Sequence, residues 1–290
     1  MTGPVGAAGT EPDRQLCVDG VPVARYVVDP AVDPRHGPRP YLHPVRTLGG
    51  TVVTDAFPAD HVWHLGASLA VQDVDGTNLW GGRTYVRDAG YTWRDDHGRI
   101  AHTAWDVRDP RRLAHRLEWR DRDGAVLLTE RRELAARRVG ERAWALDVDY
   151  TLTAPVDREV SLGSPATNGR PGGAGYGGFF WRAASATPAR VCTATAEGEE
   201  AVNGSAAAWL AFSGTAPDGA AYTLVLAGLG EGDRWFVRTA MYPGVCVAFA
   251  FERPRVIGAG TSRVGRHRVV VADGALDRAE AAALAAGEAV

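Results

Sequence analysis

The sequence predicts an all-β fold, a large antiparallel β-sandwich closed by one short C-terminal helix, and three observations predict it. Asp-Gly pairs recur at Asp19, Asp75, Asp123, Asp218 and Asp273, most of them between alternating or β-branched apolar runs, which is the strongest short-range hairpin signal. Helical periodicity is scarce before Leu276. No linker, composition break or fixed-period repeat divides the chain, so residues 15–290 read as a single sandwich domain. Residues 1–14, rich in Gly, Ala and Pro, read as a frayed N-terminus.

Taken in order, LCVDGVPVARYVV, ASLAVQDVDGTNLW, HRLEWRDRDGAVLLTERREL and AWLAFSGTAPDGAAYTLVLAG each read as strand, tight turn, strand. Between the third and fourth, RAWALDVDYTLT sets Trp144, Leu146, Val148, Tyr150 and Leu152 on one face and Ala143, Ala145, Asp147, Asp149 and Thr151 on the other. Only the first of these faces suits a core, so the strand is expected to be half solvated. The last element, from Asp277 to Leu284, has helical spacing with Asp277 at its N-cap.

Composition narrows the function. The chain has 290 residues, 45% hydrophobic and 23% charged, and a net charge of -3 from 32 basic and 35 acidic residues. A chain this long buries a full core without disulfides or a structural metal. Balanced charge argues against nucleic acid and anionic membrane as partners, both of which demand a basic excess. Every basic residue is Arg, which excludes Schiff-base chemistry and a Walker-type phosphate lysine. Cys17, Cys192 and Cys246 are odd in number and widely spaced, the pattern of reduced thiols rather than a disulfide framework or zinc ribbon. MTGPVGAAGTEPDRQ has no basic stretch leading into an apolar one, and the apolar runs elsewhere fall far short of about 20 residues; the expected location is the cytoplasm.

The densest polar and aromatic cluster runs from Arg39 to Trp80. RPYLHPVRTLGG carries Tyr41, His43 and Arg46, with Pro40 and Pro44 expected to keep it out of any interior strand. PADHVWHLG carries Asp60, His61, Trp63 and His64. In a flat strand His61 and His64 would face opposite sides; they converge only if the segment turns, for which Pro58 and Gly66 provide. Three readings fit: a His pair with Asp60 as metal ligands, a His general acid/base oriented by a carboxylate, or a loop whose histidines cap backbone groups. Of the nine tryptophans, most sit at strand positions and read as core; Trp63 and Trp80 lie beside Gly and polar residues and are candidates to stack on a sugar face.

The second cluster is SLGSPATNGRPGGAGYGGFFWR, residues 161 to 182. Gly173 to Gly178 matches GxGxxG literally, but the FFWRA that follows reads as a strand, and the motif carries meaning only between a strand and a helix. The glycines instead let the backbone pass close to a ligand or another loop. Asn168, Arg170, Tyr176 and Arg182 are polar groups able to converge on a ligand; the alternative is a mobile surface loop with Arg182 on a solvated face. No GxSxG, P-loop, HExxH or CxxC occurs.

RPYLHPVRTLGGTVVTD, PADHVWHLG, DVDGTNLWGG, TNGRPGGAGYGGFFWR and VGRHRVVVADG together resemble the family catalogued as "methane oxygenase PmoA", soluble bacterial proteins of poorly defined activity. The family's Asp-His-Pro-His-His-Arg-Gly is matched at Asp60, His61, His64 and Gly66 and departs at Val62, Trp63 and Leu65. A membrane methane monooxygenase subunit crosses the bilayer with long apolar helices, which this chain lacks. The resemblance therefore implies a β-sandwich of galactose-mutarotase-like type and an association with sugar catabolism. The leading expectation is an enzyme that isomerises, epimerises or cleaves a sugar or oxidised sugar derivative by His-centred acid/base chemistry, with no cofactor and no metal. His61 and His64 transfer protons and Asp60 orients one of them; Tyr41, His43, Arg46, Asn168, Arg170, Tyr176 and Arg182 hold hydroxyls or a carboxylate, and Trp80 stacks. The alternatives are a noncatalytic sugar-binding or regulatory module and a metal-dependent oxygenase.

Overall fold

A computed structural model describes residues 14–288. Two antiparallel sheets dominate. The seven-stranded sheet runs Arg14–Val18, Val21–Val27, Tyr41–Val45, Ala67–Ala70, Gly178–Arg182, Gly244–Ala248, Arg234–Arg238, and the eight-stranded sheet runs Arg190–Cys192, Trp209–Thr215, Ala221–Ala227, Ser262–Asp273, Ala143–Thr153, Val126–Arg138, Arg112–Arg120, Arg99–Asp109. Their inner faces share one apolar core, with Leu69, Trp181, Trp235 and Val247 from the first meeting Trp119, Leu146, Leu224 and Val271 from the second. That is an all-β, sandwich-like arrangement. The expectation for residues 1–13 lies outside the described residues, while Arg14 already opens the first strand.

Three of the Asp-Gly pairs close long hairpins, and the first shows why. Asp19 and Gly20 hold φ of 51° and 82°, the two left-handed positions of a turn whose twist matches the strands it joins. Asp75-Gly76 also turns, but the returning segment leaves the ladder at once. Asn78 Oδ1 accepts the backbone N–H of Trp80 at 2.9 Å and of Gly81 at 2.8 Å, which bends TNLWGG into a loop instead of a strand. Asp273-Gly274 leads out of the sheet toward the terminal helix, Arg278–Ala286. That helix carries the expected Asp277 cap as a full capping box with Glu280.

Two expectations change. Ala143 and Ala145 are buried, not solvated, because Ala281 and Leu284 of the terminal helix pack over that end of the eight-stranded sheet; Asp149 farther along the same face is exposed. Tyr41–Val45 is an interior strand despite Pro44. It pairs through Ala24↔Val45, Tyr26↔Leu42 and Val27↔Tyr41 with a register shift between them, so Pro44 sits at the irregularity, where no ladder N–H is required.

A buried polar bridge ties the sheets together. Glu130 and Arg132 pair at 2.6 Å in the eight-stranded sheet, Trp119 Nε1 donates to Glu130 at 2.7 Å, and Arg132 Nη1 donates to the Tyr26 hydroxyl of the opposite sheet at 3.0 Å. Removing one member of such a pair strands the other charge in the core. Glu130→Ala is therefore expected to lower unfolding free energy by roughly 3–5 kcal/mol, measured by urea titration followed through tryptophan fluorescence, whereas Glu133→Ala on the solvated face changes it by under about 1 kcal/mol.

Candidate functional site

Antiparallel sheets usually leave one face to water, but the middle of the seven-stranded sheet is buried on both. Gly178–Arg182, Gly244–Ala248 and Ala67–Ala70 contain no exposed residue. Period-two alternation sends Phe179, Trp181, Val245 and Val247 into the sandwich core, and Phe180, Arg182, Cys246 and Ala248 to the outer face. Phe236 and Arg238 of the neighbouring strand follow the outer set. Loops roof this face, and between them and the strands lies a cavity of about 330 Å³, within the ~300–1,000 Å³ range of small-ligand clefts.

The histidines come from a pair of successive turns. His61 N–H bonds to Pro58 O at 2.9 Å and His64 N–H to His61 O at 2.8 Å, so positions that a strand would oppose are wound to one side. Their rings stack, centroids 4.7 Å apart at 24°, and both line the cavity. Each ring has its tautomer set by its neighbour. His61 Nδ1 lies 2.8 Å from Asp60 Oδ2; a carboxylate only accepts, so Nδ1 carries the hydrogen and, in the neutral ring, Nε2 keeps the lone pair. His64 Nδ1 lies 3.4 Å from Arg182 Nη1; a guanidinium only donates, so His64 carries its hydrogen on Nε2.

Electrostatics hold this arrangement. His64 is 2% exposed, and burial, reinforced by His61, Arg182 and Arg39, keeps its pKa well below the ordinary histidine value. Partial burial pushes the Asp60 carboxyl up, yet the His61 hydrogen bond and the Arg182 charge outweigh it and hold the acid below its usual range. Arg182 is 5% exposed and lies against Asp60 at 3.5 Å and over the Tyr242 ring at 5.2 Å; burial lowers its pKa. Among the described residues no group of three or more His, Cys, Asp or Glu is placed to hold a metal ion. Two of the nitrogens that could bind a metal are engaged otherwise, His61 Nδ1 with Asp60 and His64 Nδ1 against the Arg182 guanidinium.

The opposite wall is a hydrogen-bonded chain. Gln72 Nε2 donates to Arg83 O at 3.1 Å and to the Tyr176 hydroxyl at 3.0 Å, the Tyr176 and Tyr91 hydroxyls lie 2.8 Å apart, and Arg170 donates to Tyr91 while its guanidinium sits 4.8 Å over that ring. Trp80 joins the two walls, its ring 4.7 Å from Tyr176 and 5.8 Å from His64. Trp63 lines the histidine side, held in place by Gly82, where a Cβ would stand 2.5 Å from the indole. Burial raises the pKa of Tyr91 and Tyr176, so both remain phenols.

A family model matches residues 14–286, nearly all of the described fold: DUF6807, a family of unknown function. The chain belongs to that family. No curated protein matches it. In this DUF6807 chain, the cavity gathers His61, His64, Trp80, Arg170 and Tyr176 from two segments about 90 residues apart in the sequence. Asp60 stands behind His61 without lining the cavity, and five expected binding residues lie elsewhere. Tyr41 packs against Leu65 and edge-on to Phe57, 6.0 Å away. His43 Nδ1 is 3.0 Å from Thr54 Oγ1, and Arg46 binds Gly50 O at 3.1 Å in a surface turn. Both belong to the strand and turn that Pro44 was expected to keep clear of the sheet. Asn168 donates to Asp73 Oδ2 at 3.0 Å and faces an adjoining groove. Arg182 stands behind the histidines instead of lining the cavity.

The DUF6807 cavity also uses residues that sequence reasoning passed over: Gln72, Arg83, Tyr91, Trp93, Arg238 and Tyr242. Trp93, 49% exposed, belongs to a short two-stranded ribbon's edge, not to a core strand. A signal existed for Arg238, since RWFVR alternates Arg and Phe against Trp and Val while its neighbour GVCVA is apolar on both faces. The GxGxxG loop passes close to another loop, as expected: a Cβ on Gly175 would stand 2.4 Å from Phe251 O.

His64 gives this DUF6807 fold a measurable acid sensitivity. Above pH 6.5 its ring is neutral in both folded and unfolded chains; below it, the unfolded chain takes up a proton that the folded one refuses. Stability is thus lost as pH falls, by up to ~1.4 kcal/mol per pH unit. Between pH 6.5 and about 5, His64→Gln is expected to lose less stability than the parent by roughly 1–2 kcal/mol, read from urea titrations at each pH. Parallel pH profiles would mean that His64 protonates in place.

Proposed function

We propose that the protein is a carbohydrate-related enzyme that moves protons on a sugar or oxidised sugar derivative by His-centred acid/base chemistry. The observation that carries this reading is the stacked pair His61 and His64 on one cavity wall, whose partners give them opposite roles: a free Nε2 lone pair on His61 and an Nε2–H on His64. One polar couple of that kind suits proton abstraction beside a carbonyl. The C–H bond breaks, its proton passes to His61 Nε2, and the electron pair moves onto the carbonyl oxygen, which His64 Nε2–H stabilises by hydrogen bonding. Asp60 stabilises the His61 imidazolium, and return of the proton to either face or to the neighbouring carbon completes an epimerisation or isomerisation. Buried against Arg182, His64 is suited to donate a hydrogen bond without ionising.

Aromatic walls from Trp63, Trp80 and Trp93 beside polar groups fit the apolar faces and hydroxyls of a sugar. Two stacked antiparallel sheets support the galactose-mutarotase-like type implied by the resemblance to the PmoA family. The oxygenase reading draws no support from the donor set around His61 and His64. No helix among the described residues is long and apolar enough to cross a membrane, and Cys17, Cys192 and Cys246 are unpaired, which supports a cytoplasmic setting. Paired charges such as Arg112 with Glu133 and Arg268 with Asp147 on the outer eight-stranded face favour a small-molecule partner over nucleic acid.

The test is incubation in heavy water with a panel of aldoses, ketoses and sugar acids, read by NMR for deuterium at carbon and for new products. Exchange is expected with at least one member. His61→Asn should lower kcat on the order of 10²–10⁴-fold with KM changed only a few-fold. A sugar that binds with no exchange and no product would make the cavity that of a binding module.

A further inference from the structure

Taking the cavity as a sugar site, we infer that its ligand is a sugar carrying a carboxylate, its hydroxyls held by Gln72 and the Tyr91–Tyr176 pair and its acid group by Arg170 and Arg83. The inference rests on the reading of the site just given and adds the class of substrate. Three independent features of the wall opposite the histidines lead to it.

The first is an unused acceptor. Gln72 is 2% exposed, and its Oε1 is buried and accepts no hydrogen bond among the described residues. The assignment of its amide is settled by its neighbour: Arg83 O only accepts, so the atom 3.1 Å away must be the NH₂ group. A buried carbonyl oxygen left unbonded costs about 1–3 kcal/mol, a penalty that a ligand hydroxyl removes.

The second is an unused donor. The contacts in the chain are Arg170 to Tyr91, Gln72 to Tyr176, and Tyr91 with Tyr176. Arg170 and Gln72 supply their own hydrogens, so the phenol–phenol contact consumes only one of two phenolic hydrogens. Whichever phenol donates, the other keeps an O–H with no acceptor among the described residues. Gln72 Oε1 and this hydroxyl together present one acceptor and one donor, the complement of neighbouring sugar hydroxyls.

The third is charge. Arg83, Arg170 and Arg238 line the cavity, and no Asp or Glu among the described residues does. Arg238 is partly balanced by Glu199 at 3.5 Å. Arg170 is half-buried and has no carboxylate partner among the described residues; nor has Arg83. In a chain whose other arginines mostly carry an acid within 4 Å, these two leave a positive end to an otherwise aromatic cleft, which recruits and orients an anion. The carboxylate end and the histidine pair then lie on opposite walls, with Trp80 between them.

Isothermal titration of the full chain with D-glucuronate and D-galacturonate, against D-glucose and D-galactose, tests this. The acids are expected to bind tighter than their neutral parents on the order of tenfold or more, with the margin shrinking in high salt. Arg170→Gln should abolish the margin and Gln72→Leu should weaken acid and neutral sugars alike, each variant retaining the parent's near-UV circular dichroism and cooperative melt. Neutral sugars binding as tightly as the acids, a margin unchanged in Arg170→Gln, or inorganic sulfate competing as well as the acids would overturn the inference. Sugar-acid binding without proton exchange leaves it standing and removes the catalytic reading; proton exchange on neutral sugars with no affinity for the acids does the reverse.

Discussion

Arg39 is the side chain on which the site is hung. It is fully buried and spends its guanidinium on four separate pieces of chain: Nε donates to Ser68 Oγ at 3.1 Å, Nη1 to Gly37 O at 2.8 Å and Trp80 O at 2.9 Å, and Nη2 to Trp63 O at 3.0 Å. Ser68 belongs to the sheet, Trp63 to the histidine turns, and Trp80 to the loop that joins the two cavity walls. Loops alone have no ladder to fix their height above a sheet; a planar fork of donors aimed at backbone carbonyls supplies one. Burial pulls the Arg39 pKa down to about 9, which leaves it charged at neutral pH. Its positive charge also falls on His64, adding to the forces that keep that ring neutral. One residue thus fixes the height of the loops that shape the site and adds to the burial that keeps His64 neutral.

This arrangement follows from burying a sheet on both faces. Once Phe180, Phe236, Cys246 and Ala248 point away from the sandwich core, they require a second cover, and the cover here is loop rather than helix. Loop backbone carries N–H and C=O groups that must find partners, so the roof over these strands is necessarily polar in places. Asn78 and Arg39 satisfy some of those groups. The remaining polar side chains, Gln72, Tyr91 and Arg170, form the cavity wall. The apolar floor and the polar roof are products of the same constraint, and their meeting gives a cleft suited to a ligand with both apolar faces and hydroxyls.

Local chemistry made much of the fold legible. Asp19-Gly20, Asp123-Gly124 and Asp218-Gly219 mark real hairpins, because the glycine of each takes the left-handed position the turn requires, joined by the aspartate only at Asp19. Alternation in RAWALDVDYTLT gave the core face of its strand, and Asp277 gave the start of the terminal helix. What stayed hidden was set by contacts distant in sequence: nothing near Ala143 announces that Leu284 will cover it, and nothing near Pro44 announces that its own strand takes an extra residue against Ala24–Tyr26. The site divides the same way. His61 and His64 were legible because Pro58 sits where a turn must form. Tyr91, Trp93 and Gln72 were not, since each reaches the cavity only after the Asn78 loop and the ribbon that follows have folded back over the sheet.

The expected residues that fell outside the cavity are as informative as those within it. Tyr41, His43 and Arg46 lie in one segment, and they missed because Tyr41 and His43 became part of a strand whose side chains serve the sheet, while Arg46 sits in the surface turn that follows it. Arg182 missed by one layer only. It reaches the outer face by the same parity as Phe180, but its length carries the guanidinium under the His64 ring, where it meets Nδ1 and Asp60 together. From there it fixes the tautomer of one histidine directly and helps keep the acid that orients the other ionised. A residue in that position governs proton placement on His64 without facing a ligand, and together with Asp60 on His61 it gives the pair opposite tautomers.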